Sequence, residues 1–70
     1  MSMVVLVNGE RRELSGGATV ATVVGTFSDV PGGRGVAVAL DGHVVPRSSW
    51  ESTRLSDGAR VEIVVAVQGG

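Results

Sequence analysis

Hydrophobic positions change period along this chain. Met3 to Val7 is a short apolar run rich in β-branched residues, closed by Asn8-Gly9. Such a run predicts a strand buried on both faces or nearly so. Asn-Gly between two extended segments is the strongest short-range hairpin signal, because both residues tolerate the left-handed backbone of a tight turn. Glu10 to Leu14 is the return strand, and its charges predict a sheet edge with one wet face. From Val20 the spacing lengthens. Val20, Val23, Val24 and Phe27 fall at i, i+3, i+4 and i+7, which predicts a helix from Val20 to about Ser28 with Thr19 as N-cap. Val20, Thr22 and Val24 also fit a strand alternation, and Gly25 costs a helix about 1 kcal/mol relative to alanine. The helix is preferred because period 2 fails at Phe27.

Alternation returns at Val36, Val38 and Leu40, which share one face of a strand. Asp41-Gly42 is a second tight-turn signal, and His43 to Val45 is a short strand stopped by Pro46. Arg47 to Thr53 reads as a turn or a single helical turn, with Ser48 as its cap and Leu55 as its anchor. Ser56-Asp57-Gly58 turns into a final strand, Arg60 to Val67. There Val61, Ile63, Val65 and Val67 share one face, while Glu62, Val64 and Ala66 share the other. The order β-β-α-β-β-β predicts an α+β domain, a small mixed sheet with one helix packed across one face. That leaves the second face of the last strand open. Val64 and Ala66, with Val4 or Leu6 beside them, either lie under a loop or form an apolar docking patch.

Seventy residues make one domain, and a small one. Ordering such a backbone costs on the order of 100 kcal/mol, so most of the apolar residues must be buried. A 43% hydrophobic content and a net charge of -1 argue against disorder. Cysteine is absent, which excludes a disulfide, a cysteine zinc site and a catalytic thiol. All basic residues are arginine, scattered singly or as one pair, an arrangement that argues against nucleic acid. The N-terminus lacks a basic region and no apolar run approaches the length of a membrane span, so a soluble, cytoplasmic protein is expected.

Side chains capable of catalysis do not gather. His43 is the single histidine, with no serine in a nucleophile elbow and no second ligand for a metal; it reads as a strand residue beside a turn. The carboxylates are dispersed, with no pair spaced for acid–base work. Several aspartates sit at turns, where local hydrogen bonding is expected of them. Gly32-Gly33-Arg34-Gly35 lacks the lysine and hydroxyl of a phosphate-binding loop and leads into a strand rather than a helix. Phe27 and Trp50 are too few for a base-stacking platform, and Trp50 reads as a cover on the core edge. No catalytic residue, metal ligand or bound cofactor is expected.

The remaining feature is Gln68-Gly69-Gly70. A carboxylate is a poor electrophile until its oxygen becomes part of a leaving group. Activation as an acyl-adenylate lets a sulfur nucleophile attack the carbonyl and yields a thiocarboxylate. Glycine at the last two positions has no Cβ, so the backbone can enter a narrow site in any conformation. Fully extended, these three residues reach roughly 10 Å beyond the strand. With no cysteine the chain cannot carry sulfur as its own persulfide, and with no lysine it cannot be extended through its own side chains.

Nearly the whole chain resembles the sulfur carrier family of thiamine biosynthesis, ThiS. Val7-Asn8-Gly9, Gly17-Ala18-Thr19-Val20, Val36 to Gly42, Leu55-Ser56-Asp57-Gly58 and Val61-Glu62-Ile63 carry the resemblance with Gly69-Gly70. Val44-Val45-Pro46-Arg47 followed by Trp50 is its most diagnostic segment. Asp41 stands where the family more often has asparagine. The resemblance implies a ubiquitin-like β-grasp domain over residues 1–67, with the first and last strands adjacent and parallel, and a flexible carrier tail over 68–70. It implies that an E1-like adenylyltransferase, using its own ATP and Mg²⁺, activates Gly70. Sulfur would come from cysteine through a donor such as a cysteine desulfurase, and thiazole synthase would consume it. The chain would be a cosubstrate and not an enzyme. Delivery to molybdopterin or another acceptor, or a β-grasp interaction module with an inert tail, stay open as alternatives.

Overall fold

A computed structural model describes residues 1–27 and 34–65. Its strands are β1 (Ser2–Val7), β2 (Glu10–Ser15), β3 (Val36–Leu40), β4 (His43–Val45) and β5 (Arg60–Val65), with one helix, α1 (Val20–Phe27), between β2 and β3. They form a five-stranded sheet in the order β2-β1-β5-β3-β4. β1 and β5 run parallel, through Leu6↔Arg60 and Val7↔Val61, and the other neighbours are antiparallel. This is the mixed β-grasp sheet with one helix that the resemblance implies. The first and last strands lie at its centre.

Alternation decides which side chains meet the helix. Met3, Val5 and Val7 of β1 are buried, with Val38 of β3 and Val61 of β5 beside them on the same face. Val20, Val23 and Val24 of α1 pack into that layer, and Phe27 closes its end half-buried. Residues at i, i+3, i+4 and i+7 point to one side of a helix, so the predicted stripe is the observed one. β1 is less enclosed than a strand buried on both faces. Val4 and Leu6 are only half-buried, because α1 covers one face and no described element covers the other. β2 is a charged edge: Leu14 alone is buried there, and Arg12 lies over the Phe27 ring at 5.1 Å while pairing with Glu10 at 2.6 Å.

The start of α1 shows what the Pro46 to Leu55 segment does. A helix begins with N–H groups that lack intrahelical acceptors. Here the Val20 N–H donates to the Thr53 carbonyl at 3.0 Å and the Ala21 N–H to the Trp50 carbonyl at 3.1 Å. The Thr22 N–H donates to Thr19 Oγ1 at 3.3 Å, which makes Thr19 the N-cap. Trp50 is buried, its indole N–H donates to the Val45 carbonyl at 2.9 Å, and the Arg47 guanidinium lies over its ring at 5.8 Å. The short 3₁₀ turn Arg47–Ser49 has no side-chain cap. Ser48 lies inside it, not at its start. Ser52 and Thr53 instead donate their hydroxyls to the Ser49 carbonyl, at 3.2 and 2.6 Å. Trp50 and Thr53 of this segment therefore brace the start of the helix.

Candidate functional site

The strand that leads to the tail is the central strand of the sheet. β5 has a neighbour on each side, β1 and β3. Its ladder with β1 covers only two residue pairs in register, yet hydrogen bonds run well past them. At the near end, Asp57 Oδ1 accepts from the Val4 N–H at 2.8 Å and the Gly58 N–H donates to the Val4 carbonyl at 2.7 Å. In the middle, the Leu6 and Asn8 N–H groups donate to the Ala59 and Val61 carbonyls, both at 2.9 Å. At the far end the β1 backbone has already turned away, and a side chain replaces it. Asn8 Oδ1 accepts from the Ile63 N–H at 2.8 Å, and Asn8 Nδ2 donates to the Ile63 carbonyl at 3.2 Å.

β3 offers a parallel device on the other side. Asp41 opens the second tight turn and its side chain also reaches β5. Its Oδ1 accepts from the Arg60 N–H at 2.9 Å, while its own N–H donates to the Arg60 carbonyl at 2.8 Å. Asn8 and Asp41 are the non-glycine residues with positive φ among those described, at 51° and 49°. Aspartate and asparagine tolerate that conformation because a short polar side chain can bond locally. The difference between them follows from what each must bond. Asp41 needs only an acceptor, since its backbone satisfies the Arg60 carbonyl. Asn8 must present a donor and an acceptor together, which a carboxylate cannot do. This accounts for aspartate serving at position 41 while position 8 holds asparagine. It also corrects the expectation of local bonding: Asp57 and Asp41 tie β5 to distant strands.

Val64 is 61% exposed and Val44 is 77% exposed, both on the face of the sheet away from α1. Val64 pairs with Ala37, and Ala39 pairs with Glu62 on one side and Val44 on the other. Leu6 is half-buried on the same face, with Arg11 and Arg60 as its register partners. Among the described residues no element lies over this face. Leu6, Asn8, Gly9, Arg60, Val61 and Glu62 line a concavity there, at the end of β1. Ala66, Gln68, Gly69 and Gly70 lie outside the described residues.

Elsewhere the candidates stay apart. His43 is exposed at the start of β4. Arg34 and Gly35 form an exposed turn into β3, and the rest of the glycine-rich loop lies outside the described residues. Among the described residues no cluster of histidine, cysteine, aspartate and glutamate is fit to hold a metal, and no helix is long and apolar enough to cross a membrane. The α1 N-terminus has its first three N–H groups occupied by protein acceptors, so it offers no anion cradle. Sequence reasoning missed the Asn8 and Asp41 tethers. Asn-Gly and Asp-Gly mark the turns, and neither dipeptide carries a local signal for the bond to β5.

Residues 5–70 match the ThiS family. A thiazole synthase of Paramagnetospirillum magneticum is 35% identical over 68 residues, covering 97% of this chain and 20% of that one. The chain thus spans about a fifth of the length of that curated relative. The crystal structure of the thiamine biosynthesis protein ThiS from Geobacter metallireducens superposes with a TM-score of 0.79 at 27% identity, covering 97% of this chain and 100% of that one. A solution structure of a thiamine biosynthesis protein from the same organism gives 0.76 at 28% identity, over 97% and 88% of the two chains. Agreement of sequence from Val5 through Gly70 with the arrangement of strands and helix leaves one assignment: the chain belongs to the ThiS family.

Proposed function

We propose that this protein is a sulfur carrier for thiazole formation in thiamine biosynthesis, with the Gly70 carboxylate as the group that is loaded. A carboxylate oxygen of Gly70 attacks the α-phosphorus of ATP in the site of an E1-like adenylyltransferase, and pyrophosphate leaves. A sulfur nucleophile at the oxidation level of sulfide then attacks the acyl carbonyl. AMP departs with the former carboxylate oxygen, and a thiocarboxylate remains. Sulfur originates in cysteine through a donor such as a desulfurase, whose persulfide is released as sulfide by two equivalents of an external thiol, which leaves as a disulfide. ATP and Mg²⁺ belong to the adenylating partner, and this chain contributes no catalytic side chain.

The observation that carries the reading is the family match running through Gly70, on a domain whose central strand leads to that residue. Gly69 and Gly70 have no side chains to block a narrow active site. The acceptor is thiazole synthase, a choice supported by the relative of that name, which contains a segment alike to nearly all of this chain. Docking uses the open sheet face, where Val64 and Leu6 lie, together with Ala66. Mass spectrometry tests the central claim. Incubated with an active adenylyltransferase, ATP and a sulfur source, the protein exchanges one oxygen for sulfur at Gly70. An unchanged mass, with the partner active on another carrier, makes the tail inert and the domain an interaction module.

A further inference from the structure

Parallel strands β1 and β5 diverge where β1 enters its turn. At that point β5 would keep a partner on one side only. Val64 and Val65 are paired with Ala37 and Val36 of β3, and β1 has no backbone left to offer them. The carboxamide of Asn8 supplies one more rung, bonding both the N–H and the carbonyl of Ile63. A strand edge asks for one donor and one acceptor from its neighbour at each such rung, and the primary amide is the side chain that holds both in one plane. The left-handed backbone of Asn8, φ 51°, is what turns its side chain back along β5. Asparagine thus does two things at once: it permits the turn and it finishes the ladder.

We propose that Asn8 is a positioning residue for Gly70, acting through Ile63. Its amide sets where β5 ceases to be held on both sides, and therefore the root from which the tail is delivered. With the rung in place, two-sided support extends to Ile63; without it, support ends at Val61. This rests on the carrier reading, since only a delivered carboxylate has a position to lose. Val64 and Val65 stay paired with β3, so losing the rung leaves β5 held from one side only over Glu62 to Val65 instead of over Val64 and Val65 alone, and loosens the base from which Gly70 is presented. Effective concentration at the partner's active site falls accordingly, while the docking face is untouched.

Asn8→Gly and Asn8→Asp separate this role from the turn itself. Glycine keeps the left-handed backbone and removes the amide. Aspartate keeps an acceptor for the Ile63 N–H and loses the donor to its carbonyl. In the full chain, amide exchange at Ile63 should rise roughly tenfold in Asn8→Gly, the scale of losing the bonds that hold it, and less in Asn8→Asp. Exchange at Val5 and Val38 stays unchanged, which distinguishes local release from loss of the fold. With the adenylyltransferase, kcat for sulfur loading falls roughly threefold to tenfold in Asn8→Gly, with KM for the carrier within about twofold, and Asn8→Asp lies between. Unchanged exchange at Ile63, or faster exchange with parental kcat, overturns the positioning role. A parent protein that gains no sulfur overturns the carrier reading itself, and the exchange measurement then decides the rung alone.

Discussion

Val38 and Val64 lie one register position apart on neighbouring strands, and they face opposite ways. Val38 of β3 is 1% exposed and pairs with Ile63 and Val45 beneath α1. Val64 of β5 is 61% exposed and pairs with Ala37 on the uncovered face. The same residue type therefore has two meanings in this small sheet. Under the helix, valine repays the entropy of ordering the chain by removing methyl groups from water. On the other face the same methyl groups stay wet and contribute little to folding. They remain available for a partner surface.

The largest separation of the two faces comes from placing the same charge on each. Val38→Asp puts a carboxylate among apolar neighbours with no cation in its register pairs, a change that exceeds about 4 kcal/mol. Domains of this length have roughly 3–10 kcal/mol to lose, so the variant should be largely unfolded by circular dichroism. A cooperative melt near that of the parent would mean the inner face tolerates charge, and the contrast would collapse.

Val64→Asp makes the matching change on the open face. Its melting curve should stay within about 0.5 kcal/mol of the parent, as expected of a surface site. Binding to the adenylyltransferase should weaken roughly tenfold in a titration, because a central apolar contact becomes a desolvated charge. Sulfur loading at saturating partner should recover. Equal affinity for parent and variant would remove Val64 from the docking surface.

How much of this was legible in the sequence differs between the faces. Alternation at Val36, Val38 and Leu40, and at Val61 and Ile63, marks the inner face without any knowledge of pairing. Spacing at Val20, Val23, Val24 and Phe27 marks the helix that covers it. Local periodicity also places Val64 opposite Val61. It cannot say whether a loop lies over Val64, since that depends on where residues distant in sequence come to rest. The adjacency of β1 and β5 came from family resemblance and not from any pattern in the two strands. The Asn8 tether to Ile63 spans 55 positions, and an Asn-Gly turn signal looks the same with or without it. At Arg47–Ser49 the local rule misled. Ser48 has the chemistry of a cap, but the turn is held from outside by Trp50 and by the hydroxyls of Ser52 and Thr53.

The smallest effect tests the cover itself. Gly25 lies in α1 on its solvent side, and a Cβ built there meets nothing within 4 Å. Its cost is therefore conformational alone: glycine leaves the unfolded chain more freedom than alanine and brings no contact in return. Gly25→Ala should stabilise the domain by about 0.5–1 kcal/mol, a rise in Tm of roughly 2–8 °C for a chain of this size. Docking and sulfur loading should match the parent, because the substitution lies on the helix and away from the proposed docking face. A gain in Tm accompanied by weaker docking would show that the two faces are coupled through the sheet. No gain at all would mean that α1 is already fully formed through its braced N-terminus, and that the hydrogen bonds its first N–H groups donate to the Trp50 and Thr53 carbonyls outweigh the propensity of any one residue within it.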